Sequence, residues 1–343
     1  MKLGNIIGLN PELRQYAEGD LIKGIDLLGL EFEYEGVRDA RLPNTYPLDL
    51  FSTHDDDSLK NYGKEFVFTE PLFGADVENA VRALCGVARE RNWLASRRAG
   101  IHVHVDVRDL TREQVIGFIL LYSLVEPALY RWVGEQRDKS IYCTPLYEAD
   151  GATELVAGLL RQCQGGSGDS IMRCASNIPR YGGMNPNALS KFGSIEFRQL
   201  KSTSDSERVL LWVRLLLKLK HAVRDRFPLS NHAIIEIAER AGPDEFLRII
   251  FDDLYEHVVY PQWADAYKTL ALPVAETLIA EGLQELTWAS WEVPAGVSAR
   301  LAMFDAKHSR RELRYDLNLR PAQPPAQRPL RDLLPVEIEE NDY

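Results

Sequence analysis

The sequence predicts an α+β fold. Four short segments alternate apolar and ionisable residues at the period of a strand, the stretches between them repeat apolar residues at helical spacing, and beyond Asn231 the pattern is mostly helical with no further alternating strand. In the first strand segment, Leu27 to Glu35, Leu30, Phe32 and Tyr34 share one face and Glu31, Glu33 and Glu35 the other. A loop rich in Pro, Asn and Asp follows. The second strand is Lys64 to Phe68, ended near Pro71 because proline has no N–H for the ladder. Asp76 to Arg91 then reads as a helix whose apolar positions Val77, Ala80, Val81, Leu84, Val87 and Ala88 recur at helical spacing, with Asp76 as its cap and Cys85 as a small core residue.

The third strand is Gly100 to Val107, with Ile101, Val103, Val105 and Val107 opposite His102, His104 and Asp106. Thr111 to Gln114 has the form of a capping box and opens an apolar helix to about Val133, which Pro127 is expected to kink or interrupt. Gln164 to Ser170, rich in Gly and Ser, reads as a mobile loop. The fourth strand, Gly193 to Leu200, sets Ile195 and Phe197 against Glu196 and Arg198, and a helix capped by Ser204 to Glu207 runs to about Arg226. The organisation expected is a lead segment over 1–24, a main domain over 25–228, a helical extension over 229–320 and a polar tail over 321–343 with five prolines.

Composition narrows the class. With 343 residues, 45% apolar and 27% charged, the chain is neither disordered nor a disulfide scaffold, and a net charge of −11 would repel nucleic acid and anionic lipid. Cys85, Cys143, Cys163 and Cys174 form no C-x-x-C pair and no secretory pattern precedes them, so a reduced, cytoplasmic protein is expected. The most apolar stretch, Val115 to Val125, falls short of the ~20 residues that span a bilayer and reads as a buried helix. Neither a phosphate-binding G-x-x-x-x-G-K-[ST] loop nor a G-x-G-x-x-G turn is present, so any nucleotide would be held by metals and arginines.

If the strands share one sheet, their ionisable faces meet over one surface. Glu31 and Glu33, roughly 7 Å apart by strand rise, could each hold one of two neighbouring divalent ions. Glu65, one imidazole and Glu196 would add further ligands of the hard type that suits Mg²⁺ or Mn²⁺, and Arg198 could face an anion bridging the ions. Each motif also has a plainer reading: Glu31-x-Glu33 as a solvated face, Glu196-x-Arg198 as a cross-strand ion pair, His102-x-His104 as structural, and His54-Asp55-Asp56-Asp57-Ser58 as an acidic loop rather than a cation or amine site.

Glu31-Phe32-Glu33, then Asp56-Asp57-Ser58-Leu59 with Glu65, then Gly100-Ile101-His102-Val103-His104, then Arg180-Tyr181 with Asn185, then Ser194-Ile195-Glu196-Phe197-Arg198 stand in the order found in amidoligases. Over about residues 25–202 the chain resembles these members of the carboxylate–amine ligase superfamily, which includes glutamine synthetase and glutamate–cysteine ligase. The resemblance implies a curved, mainly antiparallel sheet that binds ATP and Mg²⁺, with Mn²⁺ as an alternative, and that joins a small-molecule or peptide carboxylate to an amine through an acyl phosphate. It implies Glu31, Glu33, Glu65, His102 and Glu196 as metal ligands and His104 as a nucleotide contact. Arg198 and Arg180 would bind the transferring phosphate, Asn185 and Ser58 would be further nucleotide contacts, and Asp56 or Glu65 would take the proton of the attacking amine. The Gln164–Ser170 loop is then the candidate lid. A metal-dependent phosphoesterase and a catalytically inactive binding protein are the rival readings.

Overall fold

The computed structural model describes residues 1–9, 26–134, 136–149, 151–226 and 231–283, with side chains not described at 226 and 231–233. All of them lie in the first of two compact units, Met1–Leu301 and Ala302–Tyr343. In chain order the elements are α1 (Leu3–Ile7), β1 (Leu28–Tyr34), β2 (Phe51–Asp55), β3 (Lys64–Phe68), α2 (Gly74–Glu90), β4 (Gly100–Asp106), α3 (Arg112–Val133), α4 (Ala152–Gly165), α5 (Gly168–Ser176), β5 (Met184–Asn185), α6 (Leu189–Phe192), β6 (Ser194–Lys201) and α7 (Ser206–His221). Helices α8 (Asn231–Ala241), α9 (Pro243–Phe251), α10 (Tyr255–Val258), α11 (Trp263–Ala266) and α12 (Leu272–Gly282) follow.

The six strands form one open sheet in the order β2-β3-β1-β4-β6-β5, with every pair antiparallel. All four expected strands are present. Two more, β2 and β5, were not foreseen: β2 falls in the segment read as a loop, and β5 is only two residues long, too short to show alternation. One sheet face carries Leu30, Phe32, Tyr34, Phe66, Val103, Val105, Ile195 and Phe197, all fully buried. Against it pack α3, whose Phe118 meets Phe197 edge-on at 5.8 Å, and α7. Trp93 stacks on Phe66 at 4.6 Å. The described helices after α7 continue the same core, with α12 against α4 and α8 against α3.

Several boundary expectations are corrected. The N-cap of α2 is Phe73, so Asp76 lies in the first turn and accepts from the Tyr46 hydroxyl instead. The cap of α7 is Asp205, which accepts from Glu207 and Arg208 N–H, and the helix gives way to a π-turn at Ala222–Arg226. Pro127 does not interrupt α3, which runs all 22 residues from its Thr111–Gln114 capping box. That length would cross a membrane, yet 89% of its apolar window is buried inside the fold, so α3 is a core helix. Gln164–Ser170 is not a loop. Gln164 and Gly165 end α4, Ser167 caps α5, and a side chain at Gly168 would strike the Ile6 carbonyl. Polar, Gly-rich composition hid a helix–helix junction packed against α1, and the lid reading falls with it. The expected tail from 321, the extension beyond 283 and most of the lead segment lie outside the described residues.

One buried group makes stability depend on pH. Glu126, inside α3, accepts from the Tyr122 hydroxyl at 2.6 Å and from Leu146 N–H, and Tyr122 in turn accepts from Gln199 of β6. Burial pushes its carboxyl from 4.5 up to about 7. The folded state then holds a proton that the unfolded chain has released, so stability falls as pH rises from about 4.5 to 7, by roughly 3 kcal/mol. Urea melts at pH 5, 6 and 7 are expected to show this decline in the native protein and a flatter profile in Glu126→Gln, whose amide does not ionise.

Candidate functional site

The face opposite the core collects the ionisable residues because strand alternation sends every second side chain there and the register lines them up. Glu33 lies opposite Glu65, Glu31 opposite His102, and both His104 and Asn185 opposite Glu196. Directly paired residues in antiparallel strands have Cα atoms roughly 4.5–5.5 Å apart, so charges distant in sequence become neighbours.

His102 is at the centre, its side chain 4% exposed. Its Nδ1 lies 2.9 Å from Glu31 Oε2 and 3.4 Å from Glu196 Oε1, and its Nε2 lies 3.5 Å from Glu33 Oε1. His104 reaches Glu31 Oε1 through Nε2 at 3.1 Å and Ser194 Oγ through Nδ1 at 3.1 Å. The outer groups are held in turn. Gly100 N–H donates to Glu33 Oε2 at 2.6 Å, and Asn185 Nδ2 donates to Glu196 Oε2 at 2.6 Å. Arg198 pairs with Glu196 and donates through Nε to the Tyr142 carbonyl at 3.2 Å.

Like charges crowd here. Burial and then the neighbouring Glu31 carboxylate push Glu65 up to about 8. Glu31 goes the other way: burial works to raise it, but the hydrogen bonds from His102 and His104 outweigh this and hold it far below the usual carboxylate range. Burial and the nearby Arg198 charge disfavour the His102 cation, yet the charge of Glu33, the hydrogen bond to Glu31 and the charge of Glu196 outweigh them and raise its pKa. Two groups place their ligand atoms within 4.8 Å of one another: Glu31, His102 and Glu196, and Glu33, Glu65 and His102. Four carboxylates around one imidazole, one of them pushed towards its neutral form by burial and by its acidic neighbours, is the donor set and the electrostatic situation that a hard divalent cation relieves.

The remaining candidates sit further out. Arg180 is exposed, donates to the Tyr181 hydroxyl at 2.8 Å and lies over that ring, close enough to Asp56 and Glu196 to feel their charges. Asp56 accepts the Ser58 N–H at 2.7 Å, which places both in the turn after β2 at the rim. No described contact joins the Ser58 side chain to the central cluster. Beside His104, a cleft of about 300 Å³ is lined by Gly29, Val67, Pro71, Phe192 and Ser194.

Sequence reasoning missed Arg137, which is 3% exposed. It donates to the carbonyls of Gln199 at 2.8 Å, Arg198 at 2.9 Å and Arg97 at 3.4 Å. The β4–β6 register shifts between Ile101 and Val103, so the extra residue on β6 leaves carbonyls without ladder partners, and the guanidinium satisfies them. Nothing in the local pattern marks this arginine; only the bulge it serves does. Arg137→Lys keeps the charge but not the fork, and is expected to lose roughly 1–3 kcal/mol in urea denaturation, with Arg137→Met losing more.

No curated protein matches the chain. Residues 49–220, half of the chain, match the model of a family described as "Putative amidoligase enzyme"; the match takes in β2, β3, β4, β6 and α7 and leaves Glu31 and Glu33 of β1 outside it. The site residues Glu65, His102, His104, Glu196 and Arg198 all fall within this segment, and the chain belongs to that amidoligase family.

Proposed function

We propose that this amidoligase-family chain is an ATP- and Mg²⁺-dependent carboxylate–amine ligase. The observation that carries the reading is the convergence of two carboxylate–histidine groups on one sheet face with Arg198 beside them. Glu31, Glu33, Glu65, Glu196 and His102 would hold divalent ions, Mg²⁺ or Mn²⁺, which when bound offset the charge of a triphosphate. The cleft beside His104 offers an apolar bed for the nucleotide base, with Phe192 edge-on to the imidazole at 5.6 Å.

The chemistry follows from the difficulty of the reaction. A carboxylate is a poor electrophile, so its oxygen attacks the γ-phosphorus, ADP leaves, and the resulting acyl phosphate reacts with an amine to give an amide and inorganic phosphate. Arg198, held by Glu196 and the Tyr142 carbonyl, is set to face the transferring group, and Arg180 approaches from the rim. The attacking ammonium must lose a proton, and Asp56, half-buried at the rim near Arg180, is our choice of acceptor over Glu65, which the cluster engages.

The test is a screen of amino acids, peptides and polyamines for ATP-dependent phosphate release, with mass spectrometry for a product one water lighter than its two precursors. A ligase needs both a carboxylate and an amine for release. Cleavage of a phosphoester with Mg²⁺ and no ATP would establish the hydrolase instead. An unchanged melting temperature in saturating Mg-ATP would count against both nucleotide binding and turnover.

A further inference from the structure

The two candidate cation groups have one residue in common, and that residue has a limited capacity. His102 turns Nδ1 towards Glu31 and Glu196 and Nε2 towards Glu33, so its two ring edges serve different carboxylate pairs. Residue 100 is glycine, so no side chain from that position crowds Nε2. A Cβ there would lie 3.1 Å from Nε2 and 3.3 Å from an Arg137 Nη atom. A neutral imidazole has a single acceptor nitrogen, and the other carries a proton.

We infer that His102 is a ligand shared by two cation sites and available to only one of them at a time. This rests on the metal-dependent reading above. An ion held by Glu33, Glu65 and Nε2 leaves Nδ1–H to donate to Glu31, already 2.9 Å away. An ion held by Glu31, Glu196 and Nδ1 leaves Nε2–H to donate to Glu33, 3.5 Å away. In either state the proton on the free nitrogen orients a carboxylate of the other site. The first ion therefore takes the nitrogen and binds tightly. The second has oxygen ligands only, binds more weakly and is the one expected to arrive with an anionic, oxygen-rich ligand such as a nucleoside triphosphate.

The shared ligand has a signature that a dedicated ligand lacks. Mn²⁺ binding to the full-length protein, followed by electron paramagnetic resonance, is expected to show one tight ion with a nitrogen coupling and one weaker ion. Glu65→Gln and Glu196→Gln, which each disable a different site, should both retain one tight, nitrogen-coupled ion, because the imidazole passes to whichever site survives. His102→Gln should lose the tight class altogether, by at least about tenfold in affinity. Glu33→Gln and Glu31→Gln repeat the two site deletions in case either first variant fails to fold. If one deletion leaves only a weak, nitrogen-free ion, His102 belongs to a single site and the inference fails. Two exchange-coupled ions that each carry a nitrogen coupling in the native protein would show a bridging imidazolate and would also end it. No Mn²⁺ binding by the native protein would instead remove the metal-dependent reading itself.

Discussion

Arg198→Ala is expected to lower ATP-dependent phosphate release by about 10³-fold, in the range found when an arginine that stabilises a transferring phosphoryl group is removed. The loss should fall on kcat with little change in the KM for ATP, because in the proposed mechanism the guanidinium acts on charge that develops as the phosphoryl group moves. Its position gives the reason. Arg198 is one of the two β6 residues set against His102 at the bulge, is paired with Glu196 and is braced through Nε by the Tyr142 carbonyl, so its orientation is set before any ligand arrives. Arg198→Lys should recover only part of the rate, since a single ammonium cannot accept both constraints and still present a fork. A circular dichroism spectrum and melting temperature near those of the native protein would show that the fold is intact. Retained turnover in Arg198→Ala would remove Arg198 from the chemistry.

Lys220→Met is expected to cost roughly 3–5 kcal/mol at pH 7, the penalty for leaving buried carboxylates without their cation. Lys220, near the end of α7, has no exposed surface; its Nζ lies 3.2 Å from Asp26 and 2.9 Å from Asp109, both buried. The Asp109 contact is an ion pair at close range without hydrogen-bond alignment, so its strength is electrostatic. Asp26, just before β1, also has His221 and Arg224, whereas Asp109, in the turn after β4, depends on Lys220. Burial already raises the Asp109 carboxyl, against the pull of Lys220. Without the lysine the folded pKa rises further above the unfolded one. The folded state then retains a proton that the unfolded state sheds, so the variant loses more stability as pH rises and less at pH 5. Adding Asp109→Asn to Lys220→Met should recover part of the loss in urea denaturation at pH 7. An equal loss at pH 5 and pH 7 would place the cost in packing rather than in charge.

The contrast between these two residues shows what local pattern can reveal. Arg198 announced itself because it alternates with Ile195 and Phe197 on a strand, and alternation is a property of neighbours in sequence. Lys220 lies on an apolar helix face where nothing local distinguishes it from a solvated lysine at the helix end. Its partners are 194 and 111 residues away and only packing brings them together. The same limit explains the errors. The Gln164–Ser170 segment has loop-like composition, yet helix α5 forms because Ser167 supplies a cap and Gly168 allows α1 to approach closely. Strand β2 lacks clean alternation and owes its state to pairing with β3 along Phe51 to Asp55.

By itself the sequence determined which residue types share a strand face: Glu31 with Glu33, His102 with His104, and Glu196 with Arg198, each separated from the core by alternation. It also determined the α+β character and the ordered motifs of an amidoligase. The tertiary structure alone decided the strand order β2-β3-β1-β4-β6-β5, the register that sets Glu31 beside His102 and Glu33 beside Glu65, and the bulge that makes Arg137 necessary. The physical reason is that alternation fixes only the side of a sheet on which a group stands. Which carboxylate meets which ring nitrogen depends on hydrogen-bond register between distant segments, and that register is chosen by the packing of the opposite, apolar face.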